Sequence, residues 1–188
     1  MSSLKKTYAW VIIMFLMVYA ALCFLGPDRY ESTQSIKIRC SNQKLAWALS
    51  DFNEWKMWFK DWDLTDTAHF KIIGEPMMAK HGVVFYHNGM SQSMEIKAIY
   101  ASLDSVEMIQ IQRSVSEIQE PDAEIEFLLS EDEKGFAVVS CTLKQGEIPW
   151  YFRGAIWLTG NAHHWDDWNN ENLEQLKSYL ESRPTASH

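Results

Sequence analysis

Apolar and polar positions change period several times along this chain, and each change marks an element. Residues 8–25 form an unbroken, uncharged apolar run. After a short polar stretch, residues 34–40 alternate, with Ile36, Ile38 and Cys40 on one face and Ser35, Lys37 and Arg39 on the other. That alternation predicts a half-buried strand. Ser41 or Asn42 then offers a cap for a helix running to about residue 50, and a second short helix is expected near residues 53–59. Beyond residue 66 the pattern becomes strand-like, with candidates at 69–73, 83–87, 94–100, 106–112, 124–129 and 136–143. Gly74 with Pro76, Asn88-Gly89, Pro121-Asp122 and Lys134-Gly135 supply turns between several of them. Ile109 and Ile111 alternate with Gln110 and Gln112, and Ile125 and Phe127 with Glu124 and Glu126. A sheet with one polar face needs apolar cover on the other. Trp168, Leu173, Leu176 and Leu180 recur at helical spacing and predict that cover as a last helix over about residues 166–182. Asp166 and Asp167 are placed to cap its first turn and complement its dipole. Arg183-Pro184 ends it. The order is α+β, a long helix gripped by an antiparallel sheet of about seven strands.

The apolar run adds an appendage to this domain. At about 1.5 Å rise per residue, residues 8–25 extend roughly 27 Å, close to the ~30 Å of bilayer hydrocarbon. Tyr8, Trp10 and Tyr19 are aromatics of the kind that settle at membrane interfaces. Val18-Tyr19-Ala20 offers a small-residue cleavage site, so a cleaved signal is the alternative. However, the run continues past that site and exceeds the usual 7–15-residue apolar core of a signal peptide. Lys5, Lys6 and the terminal amine favour a cytoplasmic N-terminus. The expected plan is a cytoplasmic segment 1–7, a single transmembrane anchor 8–25, a linker 26–33, a domain 34–183 and a frayed tail 184–188. The domain then lies on the outer side of the membrane, the periplasm in a Gram-negative bacterium.

Charge narrows the partners. Two of the 17 basic residues are Lys5 and Lys6, and all 25 acids lie beyond the apolar run, leaving the domain at about −10. That excludes phosphate-driven nucleic-acid binding and argues against electrostatic docking on anionic lipid. No P-loop, dinucleotide fingerprint, G-x-S-x-G, H-E-x-x-H or C-x-x-C occurs, so the sequence calls for no cofactor and no metal.

Residues 46–62 concentrate aromatic side chains: Trp47, Trp55, Trp58 and Trp62 with Phe52 and Phe59. Trp47, Leu49, Asp51, Phe52, Trp55 and Trp58 are spaced as in the opening motif of the SRPBCC superfamily (START-like and Bet v 1-like helix-grip proteins), and within it the polyketide cyclase-like proteins. Gly82-Val83-Val84-Phe85-Tyr86-His87-Asn88-Gly89 resembles that family's glycine-led strand and turn. Asn172-Leu173-Glu174-Gln175-Leu176-Lys177 is similar to its closing helix pattern, with Asn172 where relatives carry glycine. The resemblance covers residues 34–182. It implies a curved antiparallel sheet around a long C-terminal helix, two short helices after the first strand, and an apolar cavity between sheet and helix. In that sheet order the first and last strands are neighbours, which makes a Cys40–Cys141 disulfide conceivable.

On this reading Trp47 and Phe52 are core, while Trp58, Phe59 and Trp62 line the cavity mouth. Phe85, His87 and Tyr100 are further ligand candidates. The segment after the last strand adds Trp150, Phe152 and Trp157, as a lid, an interaction patch or packing for the last helix. His81, His87 and His163 are the candidate bases of an enzyme, although without a fixed carboxylate and nucleophile they make no triad. The expected function is a membrane-anchored binding protein holding a lipid or other apolar small molecule. The alternatives are a protein-interaction module of the envelope and, behind it, a cyclase- or hydrolase-type enzyme.

Overall fold

Alternation and capping place the elements in the order α1 (Ser2–Leu25), β1 (Glu31–Ile38), α2 (Asn42–Ser50), a 3₁₀ turn (Glu54–Met57), β2 (Asp66–Ile73), β3 (Gly82–His87), β4 (Met90–Ala101), β5 (Val106–Val115), β6 (Ala123–Glu131), β7 (Ala137–Gln145), α3 (Trp150–Thr159) and α4 (Asn161–Ser182). The structure, a computed structural model, describes residues 2–60, 66–87, 90–101, 105–115, 123–159 and 161–182; side chains are described at all of these except 2–6, 66–70, 85–87, 90–92, 115, 157 and 161–164.

The strands form one antiparallel sheet in the order β1-β7-β6-β5-β4-β3-β2. Register aligns the apolar positions: Ile109 faces Phe127, which faces Cys141, and Ile111 faces Ile125, which faces Leu143. These side chains are buried together with Ile96 and Val139. On the opposite face hydroxyls and charges pair across strands, as where Ser35 Oγ donates to Ser140 Oγ at 2.9 Å and Lys144 Nζ to Glu126 Oε2 at 3.3 Å. α4 covers the inner face with Trp168, Leu173, Leu176 and Leu180, all buried. The helix-grip expectation therefore holds.

Strand direction sorts the molecule into two ends. The near end, where α1 enters, carries Glu31, Gln145, Ala123, Val115, Met90, His87 and Asp66. The far end carries Ile38, Ala137, Glu131, Val106, Ala101, Gly82 and Ile73. α2 lies at the far end, where Asn42 Nδ2 donates to the Val106 carbonyl at 3.2 Å. α4 runs from near to far: Asp166 accepts from Ser32 Oγ at 2.6 Å, and Glu181 accepts from the Arg39 amide at 2.9 Å.

Four differences from the sequence reading have physical causes. First, Trp47 is 49% exposed rather than core. α2 buries Leu45, Ala48 and Leu49 and continues that face to Phe52, and at 3.6 residues per turn position 47 sits about 200° from Leu45. Second, α4 begins at Asn161, so Asp166 and Asp167 lie inside it and cap nothing. Third, the segment after the last strand, to which the sequence reading assigned no element, forms the helix α3. Fourth, Cys40 and Cys141 are free. Cys141 lies opposite Gln34, whereas Cys40 accepts from the Ala137 amide at 3.1 Å, four residues away along β7. Four residues of strand span about 13 Å, beyond the ~7 Å a disulfide tolerates between Cα atoms. Burial pushes both thiols above their usual pKa, Cys141 furthest.

Phe52, fully buried, should cost about 3–5 kcal/mol on truncation to alanine, whereas Trp47→Ala should stay within about 0.5 kcal/mol. Denaturant melts of the full chain in micelles check both. Cys40 and Cys141 should react with a thiol reagent only after denaturation, and reduction should leave the chain's mass unchanged.

Candidate functional site

The tryptophan-rich motif builds the centre of the domain. Ser41 caps α2 by accepting from the Lys44 amide at 3.3 Å. After Ser50 the chain turns on Asp51, whose carboxylate accepts from the Asn53 amide at 2.9 Å and from Asn53 Nδ2 at 3.0 Å. The turn sends Trp55 inward, where its indole N–H donates to the Leu49 carbonyl at 3.0 Å, one of the carbonyls that a helix end leaves open. From there ring contacts run across the grip. Phe127 on the sheet meets Trp55 at 6.4 Å, Trp55 meets Phe59 at 4.8 Å, and Phe59 meets Trp168 on α4 at 5.5 Å. Phe52 and Trp58 join Trp55 at 5.0 and 4.9 Å, and Trp165 joins Trp168 at 6.1 Å. The space that the resemblance assigns to a cavity is thus crossed by packed rings. The Trp58 indole N–H is buried and has no acceptor among the described residues.

Two asparagines lock α4 over these rings. Asn169 Nδ2 reaches the Cys141 carbonyl at 3.0 Å and the Ser32 carbonyl at 3.3 Å. Asn172 Oδ1 accepts from the Lys60 amide at 2.9 Å while its Nδ2 donates to the Trp168 carbonyl at 2.9 Å. The Asn172 amide thus ties the chain beyond the rings to α4. At the near end, burial and then the Asp166 carboxylate hold the Tyr30 phenol above its usual pKa.

The predicted ligand residues do not form one group. Trp58 is buried and Phe59 half-buried, both packed in the ring bridge rather than open at a mouth. Tyr100 is exposed towards the far end of β4, remote from the near-end positions. Phe85 and His87 lie on β3, His87 at its near end. Their side chains, like that of Trp157 on α3, are outside the described residues, as is Trp62 altogether. His81 is at the far end of β3, so about six residues of strand, roughly 20 Å, separate it from His87. Its ring stacks on Phe52 at 5.2 Å and Nε2 accepts from the Phe52 amide in a long 3.5 Å bond. The side chain of His163 is outside the described residues. Among the described residues no three His, Cys, Asp or Glu side chains gather to hold a metal. An open groove of about 520 Å³ at the far end is lined by Lys37, Arg39, Lys134, Phe136, Lys177 and Glu181, a largely charged wall unsuited to an apolar guest.

Trp150 and Phe152 belong to a junction with the apolar helix that was not foreseen. α3 packs against the last turns of α1. Trp150 stacks on Phe24 at 5.8 Å, and Tyr19 Oη donates to the Tyr151 carbonyl at 2.8 Å. Gly154 lets the helices touch: a Cβ there would come within 2.8 Å of Cys23 Sγ. The stretch between α1 and β1 is itself tied down, since Asp28 accepts from the Ile148 amide at 2.8 Å and Tyr30 from the Gln145 amide at 2.9 Å. The sequence signal for α3 was its largely apolar and aromatic composition, broken by a single charge at Arg153.

No protein-family model matches the chain, and no curated protein matches its sequence. Solved structures match it in fold. The protein jhp0584 from Helicobacter pylori superposes with a TM-score of 0.58 at 10% identity, covering 80% of this chain and 87% of that one. Ara h 8.0201 gives 0.56 at 10% identity over 82% and 99%. DynU16, from the dynemicin biosynthetic locus, gives 0.53 at 11% identity over 83% of this chain and 48% of its own, so this chain spans about half of DynU16. Likeness at such identities is likeness of fold, and the fold is the helix-grip of the Bet v 1-like proteins.

Proposed function

We propose that this chain is a membrane-anchored binding protein whose helix-grip domain takes an apolar molecule from the bilayer at the near end of the grip. The Trp58 indole N–H carries the reading: it sits 3% exposed among Trp55 and Phe59, without an acceptor among the described residues. Leaving such a donor buried and unpaired costs about 1–3 kcal/mol, and a ligand oxygen would recover it. The guest that fits is a lipid or similar apolar body bearing one carbonyl, hydroxyl or ether oxygen. Ring surface supplies affinity at about 25 cal/mol per Å² of apolar area buried, and the N–H sets orientation. α1 supports the membrane part, since Thr7–Leu25 is long and apolar enough to cross a bilayer. Lys5 and Lys6 favour an outer position for the domain. The ring bridge fills the middle of the grip, so the proposed site lies at the edge of the rings beside Trp58. An interaction module using the exposed rings of α3 is the competing reading.

Native mass spectrometry of the full chain, released from polymer-excised membrane discs and followed by organic extraction, tests the proposal. A 1:1 apolar adduct is expected. Trp58→Phe, which keeps the ring and removes the N–H, should weaken its retention roughly fivefold, the worth of about one hydrogen bond. A wild-type chain that leaves the disc with nothing bound overturns carriage and favours the interaction module.

A further inference from the structure

We infer that α3 is a second membrane element, an interfacial helix seated in the bilayer leaflet that the C-terminal end of α1 reaches. The inference rests on α1 spanning the membrane. A run of about 27 Å barely matches ~30 Å of hydrocarbon, so no part of residues 8–25 is spare. The last seven of these residues, Tyr19 to Leu25, then occupy about 10 Å of that leaflet, and they are the residues α3 touches. Trp150 lies against Phe24, the Tyr151 carbonyl accepts from Tyr19 Oη, and Gly154 meets Cys23. Lipid that wets α1 at this depth must wet α3 as well.

The chemistry of α3 suits that position and no aqueous one. Trp150, Tyr151 and Phe152 are about half exposed and Leu158 is 67% exposed, continuous with Phe24 at 75%. From Ile148 to Trp165 there is no acidic residue, although Glu147 and Asp166 bracket the segment in a chain of net charge −8. Arg153 is the one formal charge of α3, and its Nε donates to the Ile148 carbonyl at the helix's start. Tryptophan and tyrosine prefer the headgroup boundary, where an apolar ring and a polar edge are both accommodated. The Tyr19 hydroxyl, set in an apolar run, is satisfied by the α3 backbone, which removes the cost of taking it below the headgroups. The acidic surface elsewhere keeps the rest of the domain off the membrane, so the attachment is apolar and needs no anionic lipid.

Spin labels on single introduced cysteines test this in the full chain, reconstituted in phosphatidylcholine nanodiscs; the buried native thiols, carried unlabelled, give the blank. Leu158→Cys reports α3, Phe15→Cys the middle of α1, and Glu133→Cys the far-end turn. Loss of broadening by an aqueous nickel chelate at both Leu158 and Phe15, with broadening retained at Glu133, is the expected result. Broadening at Leu158 with protection at Phe15 overturns the inference alone and assigns the α3 face to a protein partner. Broadening at both overturns the transmembrane reading of α1, and the inference falls with it.

Discussion

Trp55 is the side chain on which the domain is assembled. It is fully buried and in ring contact with Phe52, Trp58, Phe59 and Phe127. The N–H of a buried tryptophan usually finds an acceptor, and for Trp55 the acceptor is local, the Leu49 carbonyl at the end of α2. That bond couples three things at once: where α2 stops, how the Asp51 turn leaves it, and how far the sheet stands from α4. The ring pairs add about 0.5–1.5 kcal/mol each beyond the area they bury. They also set the thickness of the layer between sheet and helix.

A grip whose middle is filled in this way differs from one that is hollow throughout. α4 cannot swing outward to make room without releasing the bonds of Asn169 to Ser32 and Cys141 and of Asn172 to Lys60. Each is worth about 1 kcal/mol when made and costs more when its buried partners are left open. Room for a guest is therefore sought at the ends of the sheet. The far end offers a largely charged groove, while the near end adjoins the apolar surfaces of α1 and α3. An apolar guest, if the domain takes one, would find its apolar surface beside α1 and α3 rather than in the far-end groove.

The fold was largely legible because its signals are periodic. The Ile109/Ile111 and Ile125/Phe127 alternations became facing rows of one buried sheet face, and Trp168, Leu173, Leu176 and Leu180 became the face of α4. The site was less legible because its chemistry depends on direction. Trp47 and Trp55 look equivalent in the motif, yet helical phase puts one in solvent and the other in the core. Trp58 and Phe59 were read as an open mouth because residue type does not reveal what packs against it. Asn169 gave no signal and Asn172 stood out only as a departure from the closing-helix pattern, since an amide clamp has no period. α3 was not foreseen as a helix, and the residues after the last strand were read as a lid, an interaction patch or packing for the last helix. Pro149 precedes the helix, and Gly154 sits within it for close approach to Cys23.

The attachment of α1 to the domain is rigid rather than a flexible tether. A flexible tether would leave the domain free to tumble above the bilayer, and its near end would have no fixed relation to lipid. Here residues 26–30 are short and bonded: Gly26 closes the last turn of α1 on Leu22, Asp28 accepts from Ile148 and Tyr30 from Gln145. α3 adds a packed helix on the other side of the same junction. Two attachments, one covalent and one by packing, hold the axis of the grip in a fixed relation to α1. If α1 crosses the membrane, the strand ends at Glu31 and Gln145 face it, and the orientation of the domain follows from backbone hydrogen bonds rather than from surface charge. A guest entering at the near end would then pass from lipid to the ring surfaces without crossing water. That would be the physical advantage of a binding domain built upon its own anchor.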